Sequence, residues 1–212
     1  MAEVKVLIEG YVREENKRFF ASPATVLIID NNVKVLVDPG ANKKMLLSAL
    51  SKEGMRPEDI DIVFLTHYHL DHSLNIGLFP DKDILDGDMI YRKDEEIVFS
   101  RRIPNTNIEV VQTPGHAHEH VSLIANTDKG KVCIAGDLFW WTDKHKQKTD
   151  IKSLLGLKDP YEKDHEKLVE SRKMILKMAD WIIPGHGKPF RVSRAVQPKV
   201  EHHGKTFKVE KR

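Results

Sequence analysis

The stretch "THYHLDH", from Thr66 to His72, concentrates side chains that bind metal ions. It contains three of the 11 histidines of the chain, at positions 67, 69 and 72, together with Asp71. In extended backbone, residues i and i+2 point the same way, so His67 and His69 can bind one cation. Asp71 and His72 lie past the following turn and can face a second cation. Because imidazole and carboxylate groups suit Zn, Fe or Mn, the stretch predicts a transition-metal site.

Three further candidate ligands each follow a strand-like segment and have glycine neighbours. His116 follows "IEVVQTPG", Asp137 follows "KVCIAG" and His186 follows "WIIPG". Strand ends at one edge of a sheet can aim side chains at a common point while the loops stay open to substrate. Taken singly, each of the three is typical of an ordinary structural histidine or a turn aspartate. Together with the histidine cluster, they indicate a metal centre.

The seven candidates divide into two predicted sites that share one carboxylate. The predicted ligands are His67, His69 and His116 for the first cation, Asp71, His72 and His186 for the second, and Asp137 as the bridge. Two cations about 3.5–4 Å apart can share a hydroxide and stabilise both the attacking and the leaving oxygen. We therefore predict hydrolysis by a metal-bridging hydroxide, and we expect Asp71 to shuttle a proton as well as to bind.

Strand patterns precede every one of these ligands. In the first half they are "VKVLIEGYV", the pair "ATVLIID" and "VKVLVD" joined by Asn31-Asn32, and "IDIVFLT". In the second half they are "NIEVVQTPGH", "HVSLIAN", "KVCIAGD" and "DWIIPGHG". Asparagine tolerates positive φ, so Asn31-Asn32 predicts a tight hairpin turn.

Two amphipathic segments predict helices between these strands. "KKMLLSALSKEG" ends at Gly54, and "YEKDHEKLVESRKMILKMA" has an apolar side formed by Leu168, Met174, Ile175 and Met178. Hairpins interrupt any simple strand–helix–strand order, which favours two mixed sheets between helices in an α+β fold. We predict a single domain over residues 1–194. Residues 195–212 read as a polar basic tail, or as an edge strand at "KTFKVE".

Composition excludes several classes of protein. The 212 residues carry a net charge of +2, so no bulk positive field points to nucleic acid. The single cysteine, Cys133, allows no disulfide framework within the chain. No secretory leader and no apolar run long enough for a membrane span is apparent. We expect a cytoplasmic protein with no membrane association.

Four motifs resemble the metallo-β-lactamase superfamily in order and spacing: "THYHLDH", "TPGHAHEH", "AGDLFW" and "PGHG". The resemblance covers about residues 22–190. It implies a four-layer αββα sandwich with a dinuclear site at one edge of the sheets, and it implies that Asp137 is the bridging carboxylate. In "TPGHAHEH" the ligand position is His116, which leaves His118 and His120 as supporting residues, with His118 able to approach the site. "VLVDPG" also matches, and it implies that Asp38 orients the histidine loop.

This sequence differs from several branches of the superfamily, and the differences limit the types of reaction that we expect. The best-known antibiotic-degrading class carries cysteine where Asp137 stands. Diiron oxygen reductases carry an acidic residue in place of one cluster histidine, whereas His67 and His69 are both present here. Glyoxalase II has a similar core but adds a helical domain after the last histidine, and only 26 residues follow His186. Hydrolysis is therefore favoured over oxygen chemistry.

The segments "HSLNIGLFP" and "SRKMILKMADWIIPGHGKPFRV" resemble the metallo-β-lactamase domain-containing protein 1 group. That group has a glyoxalase II-like core without the additional domain, and it includes members with endoribonuclease activity. The resemblance implies two divalent cations, with Zn²⁺ favoured and Fe or Mn as alternatives. Members of the superfamily often dimerise, so a homodimer is a further expectation.

Two classes of substrate and one non-enzymatic alternative stay open. A small-molecule ester, lactone or thioester needs only the metals and a compact pocket, in which Trp140 and Trp141 would form an apolar wall. Single-stranded RNA would instead stack on the same tryptophans beside Lys144, as an endoribonuclease or phosphodiesterase requires. A core tryptophan followed by a solvated charged loop is the simpler structural explanation of this segment. A non-enzymatic metal-binding protein is disfavoured, because a structural zinc site needs four ligands and not seven.

Overall fold

A computed structural model of the chain describes residues 1–193. The predicted domain boundary at residue 194, and the predicted tail or edge strand over residues 195–212, lie outside this range. No helix within residues 1–193 is long and apolar enough to cross a membrane.

The chain forms its strands in two successive halves. The strands of the first half are β1 (Glu3–Ile8), β2 (Tyr11–Glu15), β3 (Arg18–Ser22), β4 (Thr25–Asp30), β5 (Val33–Val37), β6 (Ile62–Phe64), β7 (Asp83–Leu85), β8 (Met89–Arg92) and β9 (Glu95–Val98). Those of the second half are β10 (Glu109–Gln112), β11 (Val121–Thr127), β12 (Gly130–Ile134), β13 (Trp181–Ile183) and β14 (Phe190–Arg191). The helices are α1 (Lys43–Lys52), α2 (Leu70–Ser73), α3 (Ile151–Leu155) and α4 (His165–Met178).

The strands build two large mixed sheets and a small hairpin. The first sheet has the order β1-β4-β5-β6-β7-β8-β9, the second has the order β10-β11-β12-β13-β14, and β2 pairs with β3. Strands β5, β6 and β7 are mutually parallel, as are β12 and β13. Their carboxyl ends therefore meet at one edge of each sheet, which is where the candidate ligands follow.

The two sheets pack face to face with helices outside, so the predicted αββα sandwich is confirmed. Alternate residues of the strands, such as Val26 and Val37 from one sheet and Leu123 and Ile134 from the other, form the core between the sheets. On the outer face of the first sheet, Leu46 of α1 belongs to a second cluster. Helix α4 covers the outer face of the other sheet in a third cluster.

The local sequence explains where several strands and helices begin and end. Asn31 and Asn32 adopt φ values of 49° and 65°, as a two-residue hairpin turn between β4 and β5 requires. Asp164 caps α4, because its side chain accepts a hydrogen bond from the Lys167 amide at 3.0 Å. Helix α4 therefore begins four residues later than the start of the predicted helical segment.

One predicted detail is wrong and a second is incomplete. "VKVLIEGYV" is not one strand, because β1 ends at Ile8 and β2 begins at Tyr11, with Gly10 between them. A Cβ atom on Gly10 would lie 2.0 Å from the Gly185 carbonyl oxygen, so the backbone makes a close crossing there that only glycine permits. In α4 the apolar side is shifted: Met174 and Met178 are only half-buried, whereas Ser171 and Arg172 are buried with Leu168 and Ile175.

Candidate metal centre

All seven predicted ligands converge at one edge of the sandwich. His67 and His69 lie on the loop after β6, and Asp71 and His72 lie in α2. The remaining three follow β10, β12 and β13, one after each: His116, Asp137 and His186. The side chains fall into two groups, in each of which the candidate ligand atoms lie within 4.8 Å of one another: group one, with His67, His69, His116 and Asp137, and group two, with Asp71, His72 and His186.

Group one has the spacing expected around one cation. His67 Nε2 and His116 Nε2 each lie 3.0 Å from His69 Nδ1. Asp137 Oδ2 lies 3.3 Å from His116 Nε2 and 3.8 Å from His67 Nε2. Tetrahedral ligands about 2.0–2.1 Å from a zinc ion are separated by about 3.3 Å, so these four atoms fit a single cation.

Group two offers a second set of donors beside the first. Asp71 Oδ2 lies 3.4 Å from His186 Nε2 and 3.8 Å from His72 Nε2. The other oxygen of Asp137, Oδ1, lies 3.4 Å from His72 Nε2 and 3.5 Å from His186 Nε2. One carboxylate oxygen of Asp137 thus faces each group.

Hydrogen bonds from the far side of four imidazoles turn each Nε2 atom inward. His72 Nδ1 lies 2.8 Å from Asp38 Oδ2, and His116 Nδ1 lies 2.6 Å from Asp159 Oδ2. His186 Nδ1 donates to the Ser22 carbonyl oxygen at 2.8 Å, and His67 Nδ1 lies 3.0 Å from the Thr66 hydroxyl. Such outer partners are the usual accompaniment of metal-binding histidines, because they fix the ring and its tautomer.

Asp38 occupies the position that the sequence predicts for an orienting carboxylate. Besides His72, it accepts hydrogen bonds from the Thr66 amide at 2.9 Å and from the Thr66 hydroxyl at 2.8 Å. Since Thr66 also contacts His67, Asp38 supports one histidine of each group. Its φ of 49° is uncommon for a residue other than glycine, so the DPG turn is held in place by these contacts.

The electrostatics of the two groups differ. Burial lowers the pKa of His67 and of His69, which favours the neutral imidazoles that bind metals. Burial also opposes the charged form of His72 and His186, but neighbouring carboxylates together outweigh it: Asp137 and Asp38 for His72, and Asp137 and Asp71 for His186. The pKa of His72 therefore lies well above its usual value, and that of His186 rises to about 9. Group two thus has a negative potential that favours positive charge.

Four buried polar atoms within the described residues have no hydrogen-bond partner, and two of them, His72 Nε2 and Asp137 Oδ1, belong to candidate ligands. Buried polar groups without partners are rare in folded proteins, and each calls for an explanation. Both atoms face the space between Asp71 and His186. A cation held there would satisfy both, so the residues present fit a second metal ion.

The supporting histidine is His120, and His118 is exposed at the surface. His120 is buried, and its Nε2 accepts a hydrogen bond from the Asp137 amide at 3.1 Å. Its Nδ1 lies 2.9 Å from the Thr113 hydroxyl. Burial lowers the pKa of His120 to about 3, so the ring is a neutral acceptor that fixes the Asp137 backbone.

Asp159 is the main site residue that the sequence analysis missed. It lies 22 residues beyond Asp137 in "KDPYEKD", on the loop between α3 and α4, and no metal-binding motif surrounds it. Its Oδ1 also accepts from the Tyr161 amide at 3.0 Å, which fixes the carboxylate against His116. The only available signal was an aspartate before proline in a short loop, which also describes many ordinary turns.

The tryptophan segment does not form the surface expected for stacked bases. Trp141 is 7% exposed and packs in the core, with its ring 6.0 Å from that of Phe190. Lys144 points away and forms an ion pair with Glu14 of β2. Trp140 alone lies near the metal centre, with its ring 6.5 Å from that of His186 and 5.9 Å from that of Tyr161.

A cavity of about 840 Å³ lies beside residues that support the centre, and none of the seven candidate ligands lines it. Its lining includes Trp140 and Asp159, which contact His186 and His116 respectively. The rest of the wall mixes apolar groups such as Leu157 and Pro160 with basic side chains: His145, Lys146, Lys148, Lys158 and His165. The volume is within the range of small-molecule sites.

Comparison with known proteins agrees with this centre. The family model of the metallo-beta-lactamase superfamily matches residues 19–97. Metallo-beta-lactamase domain-containing protein 1 of Xenopus laevis is 36% identical over 199 residues, which cover 89% of this chain and 81% of that protein. An N-acyl homoserine lactonase of Bacillus cereus is 27% identical over 109 residues, 42% of each chain.

Solved structures agree at the level of the fold. A Thermotoga maritima structure assigned to the metallo-β-lactamases covers 90% of this chain and 99% of its own, with a TM-score of 0.63 at 20% identity. The order of the ligands, the sandwich and the similarity to the Xenopus protein lead to one conclusion. The chain belongs to the metallo-β-lactamase superfamily of metal-dependent hydrolases.

Proposed function

We propose that this chain hydrolyses an ester-like bond in a small molecule with the help of two divalent cations. The observation that carries the proposal is the position of Asp137, which directs Oδ2 to group one and Oδ1 to group two. A structural zinc site is complete with four ligands, so a second set of ligands beside it is not expected. A carboxylate shared by two donor sets is typical of hydrolytic dinuclear centres.

Zinc is the cation that we propose, with Fe or Mn as alternatives, because borderline imidazole donors dominate both groups. When bound, the two cations supply a water with a pKa lowered to roughly 7 and polarise the oxygen of the electrophile.

Asp71 is the residue that we propose for proton transfer. Its side chain is 28% exposed, whereas that of Asp137 is 7% exposed, so Asp71 is the carboxylate that substrate and solvent can reach. Burial alone would raise its pKa, but the hydrogen bond to His186 and the positive charges of His72 and His186 together outweigh burial, and the pKa lies below its usual value. The carboxylate is therefore ionised at neutral pH, and Oδ2 can accept a proton and release it to the leaving group.

A small ester-like substrate agrees with the surroundings of the centre. Trp140 presents an aromatic wall between His186 and Tyr161, and the adjoining cavity has the volume of a small-molecule site. The similarity to a lactonase over 42% of the chain supports a lactone or a related ester as the first substrate class to test.

Single-stranded RNA is the second candidate, and one observation favours it. Lys146, Lys148 and Lys158 line the cavity and form no ion pair with a residue in the range 1–193. They are free to contact phosphate groups. Against RNA, Trp141 is in the core and Lys144 is bound to Glu14, so two of the three residues predicted to hold bases are otherwise engaged.

A hydrolysis panel on metal-analysed protein tests the proposal. The substrates are a lactone, a thioester, a bis-aryl phosphodiester and single-stranded RNA, each with protein loaded with zinc, iron or manganese. We expect two cations per chain and turnover of the lactone or thioester, which a chelator removes and added metal restores. RNA cleavage without ester turnover would establish the ribonuclease instead, and two bound cations without any turnover would favour a non-enzymatic protein.

A salt titration and a mass measurement complete the test. Binding of phosphate groups weakens steeply with salt, whereas binding of a neutral ester does not. Light scattering during size-exclusion chromatography tests the expected homodimer.

A further inference from the structure

Arg172 is a buried cation that the proposed reaction does not use. It lies in α4 with 0% exposure, and it heads the fully buried side chains when these are ranked by volume. A buried charge is costly unless it is well bonded, and an apolar residue would fill the same space at less cost. The position of Arg172 in the apolar layer between α4 and the second sheet therefore requires a specific reason.

Within residues 1–193, Arg172 donates hydrogen bonds to two backbone carbonyl groups and to no carboxylate, its Nη2 is buried without a partner, and the carboxylates of Asp159 and Glu162 favour its charge from a greater distance. Its Nε donates to the Leu138 carbonyl oxygen and its Nη1 to the Leu157 carbonyl oxygen, each at 2.7 Å. The centre of the guanidinium lies 5.8 Å from the centroid of the Phe139 ring. Burial lowers the pKa of Arg172 to about 10, so the group is still charged at neutral pH. Two charge-assisted hydrogen bonds thus join two backbone segments through one rigid side chain.

Both segments carry residues of the metal centre. Leu138 directly follows Asp137 in the chain. Leu157 lies two residues before Asp159, whose Oδ2 contacts His116 Nδ1 at 2.6 Å. Asp137 and His116 both belong to group one, and their atoms Oδ2 and Nε2 are 3.3 Å apart.

Group two is supported from elsewhere. His72 is oriented by Asp38, and His186 by the Ser22 carbonyl oxygen, so both partners come from the first half of the chain. Neither partner contacts Arg172. Loss of Arg172 should therefore weaken cation binding by group one more than cation binding by group two.

We propose that Arg172 is a positioning residue that sets the affinity of group one for its cation, by clamping the Leu138 and Leu157 carbonyls and thereby Asp137 and His116. The inference rests on the proposed two-cation site. Lysine cannot replace the clamp, because a single ammonium lacks the fork that reaches both carbonyl oxygens.

The test measures cation affinity in three variants of the full chain. Arg172→Met keeps most of the volume and removes both hydrogen bonds, Arg172→Lys keeps the charge, and Arg172→Ala leaves space for ethylguanidinium. Zinc affinity is measured by competition with a chromophoric chelator, and the environment of the metal by the visible absorption of Co²⁺-loaded protein. We expect Arg172→Met to weaken the first cation about 10- to 100-fold, as loss of outer support does in other metal sites. The zinc affinity of Arg172→Lys should lie between that of Arg172→Met and that of the wild type.

Two backgrounds separate the groups. The variant His186→Ala disables group two and His116→Ala disables group one, and Arg172→Met is added to each. We expect the loss of zinc affinity in the His186→Ala background and a clearly smaller loss in the His116→Ala background. Equal losses in both backgrounds would contradict a role specific to group one.

Leu176→Ala is the matched control for destabilisation. Leu176 is buried on the same helix and in the same apolar cluster as Leu138, but its side chain forms no hydrogen bond to the Leu138 or Leu157 carbonyl groups that Arg172 binds. We expect it to lower the melting temperature without changing zinc affinity or the Co²⁺ spectrum. If Leu176→Ala weakens zinc as much as an Arg172 variant of equal melting temperature, Arg172 acts only through stability and the inference is wrong.

Rescue gives an answer even if Arg172→Met folds poorly. Ethylguanidinium at millimolar concentration should restore the Co²⁺ spectrum of Arg172→Ala and leave that of Leu176→Ala unchanged. Wild-type protein that binds two cations, with Arg172→Met binding both equally tightly, overturns this inference alone. Wild-type protein that binds no cation overturns the proposed function as well.

Discussion

The two halves of the molecule build the metal centre in different ways. The half that ends at β9 supplies four candidate ligands from one continuous stretch, residues 67–72, on a loop and the short helix α2. The half that begins at β10 supplies three ligands singly, from three strand ends separated by long connections. The first arrangement depends mainly on local geometry, and the second depends on how the sheet, its turns and α4 pack.

This difference determines where each half is sensitive to mutation. The loop of the first half is anchored by one carboxylate, Asp38, which reaches both His72 and Thr66. The ligands of the second half have separate supports: Asp159 for His116, and a close glycine contact between Asp137 and the turn that carries His186. The predictions below test whether one half can fail without the other.

The largest effect is expected from Asp137→Ala, because Asp137 is where the two halves meet. Its two oxygens face His116 on one side and His72 and His186 on the other. We expect both cations to be lost from most of the protein and kcat/KM to fall by roughly 10³-fold, as when a charge-stabilising group is removed. The measurements are metal content and hydrolysis of the lactone.

Asp143→Ala is the matched control, since Asp143 is an exposed carboxylate six residues along the same segment. It should retain the metal and the activity. His69→Ala should resemble Asp137→Ala more than the control. Full activity in Asp137→Ala protein stripped of metal would overturn the assignment of the site.

Gly185→Ala comes next, and its direct contacts are with residues of the second half. A Cβ atom at this position would lie 1.9 Å from Asp137 Oδ1 and 2.9 Å from the Gly136 backbone, so the carboxylate must move. We expect roughly a 10- to 100-fold loss of metal affinity, comparable with the loss of an outer partner.

Gly77→Ala is the corresponding glycine change in the first half. A Cβ atom there meets nothing within 4 Å, so we expect little effect on metal affinity or on the melting temperature. If the two alanine variants bind zinc equally well, the packing around Asp137 is more adaptable than the structure indicates.

Asp38→Asn and Asp159→Asn compare the outer carboxylates of the two halves directly. We expect each to weaken metal binding by about 10- to 100-fold, with Asp38→Asn at the upper end. The reason is that Asp38 bonds His72 directly and reaches His67 through Thr66, whereas Asp159 bonds only His116 among the ligands. Stepwise zinc titration of the two variants checks the order. A greater loss in Asp159→Asn would show that the second half, and not the loop, limits affinity.

The sequence predicted the fold and the candidate ligands because both depend on local patterns. Alternating apolar residues define the strands, and the ligands follow those strands directly. The spacing of His67, His69 and His72 needed no tertiary information. For His116, Asp137 and His186 the prediction relied on the assumption that strand ends meet at one edge, and the topology of the second sheet supplies that edge.

The supporting residues could not be predicted, since their roles arise from contacts between distant segments. Asp159 contacts His116 across 43 positions, and Arg172 contacts Leu138 across 34. In the sequence, Arg172 looks like one of many charged residues on an amphipathic helix. His118 and His120 are two positions apart, which in extended backbone would place both on one face, so the sequence does not distinguish them. The bent backbone over residues 115–119 leaves His118 exposed, whereas His120 is buried and contacts Thr113 after β10.

Alanine variants of the two adjacent tryptophans should have smaller effects on activity, and the two effects should differ in kind. Trp141→Ala removes a core side chain beside Phe190, so we expect a loss of about 3–5 kcal/mol in the free energy of unfolding. Trp140→Ala removes the wall near His186, so we expect KM to rise roughly three- to tenfold with little change in stability. Urea unfolding and initial rates separate the two. A large loss of stability in Trp140→Ala would place that residue in the core instead of at the substrate.

The smallest effect is expected from Lys144→Ala. Lys144 is exposed, its charge is paired with Glu14, and it does not line the cavity beside the centre, so ester hydrolysis should stay within about twofold of wild type. Lys158→Ala is the informative partner, since Lys158 lines the cavity next to Asp159 and has no ion pair within residues 1–193. If the chain acts on RNA, Lys158→Ala should reduce the salt dependence of RNA binding by about one unit of slope, and Lys144→Ala should not. An equal reduction in both variants would mean that Lys144 leaves its ion pair with Glu14 to contact RNA, and the second half would then contribute a nucleic-acid surface as well as three ligands.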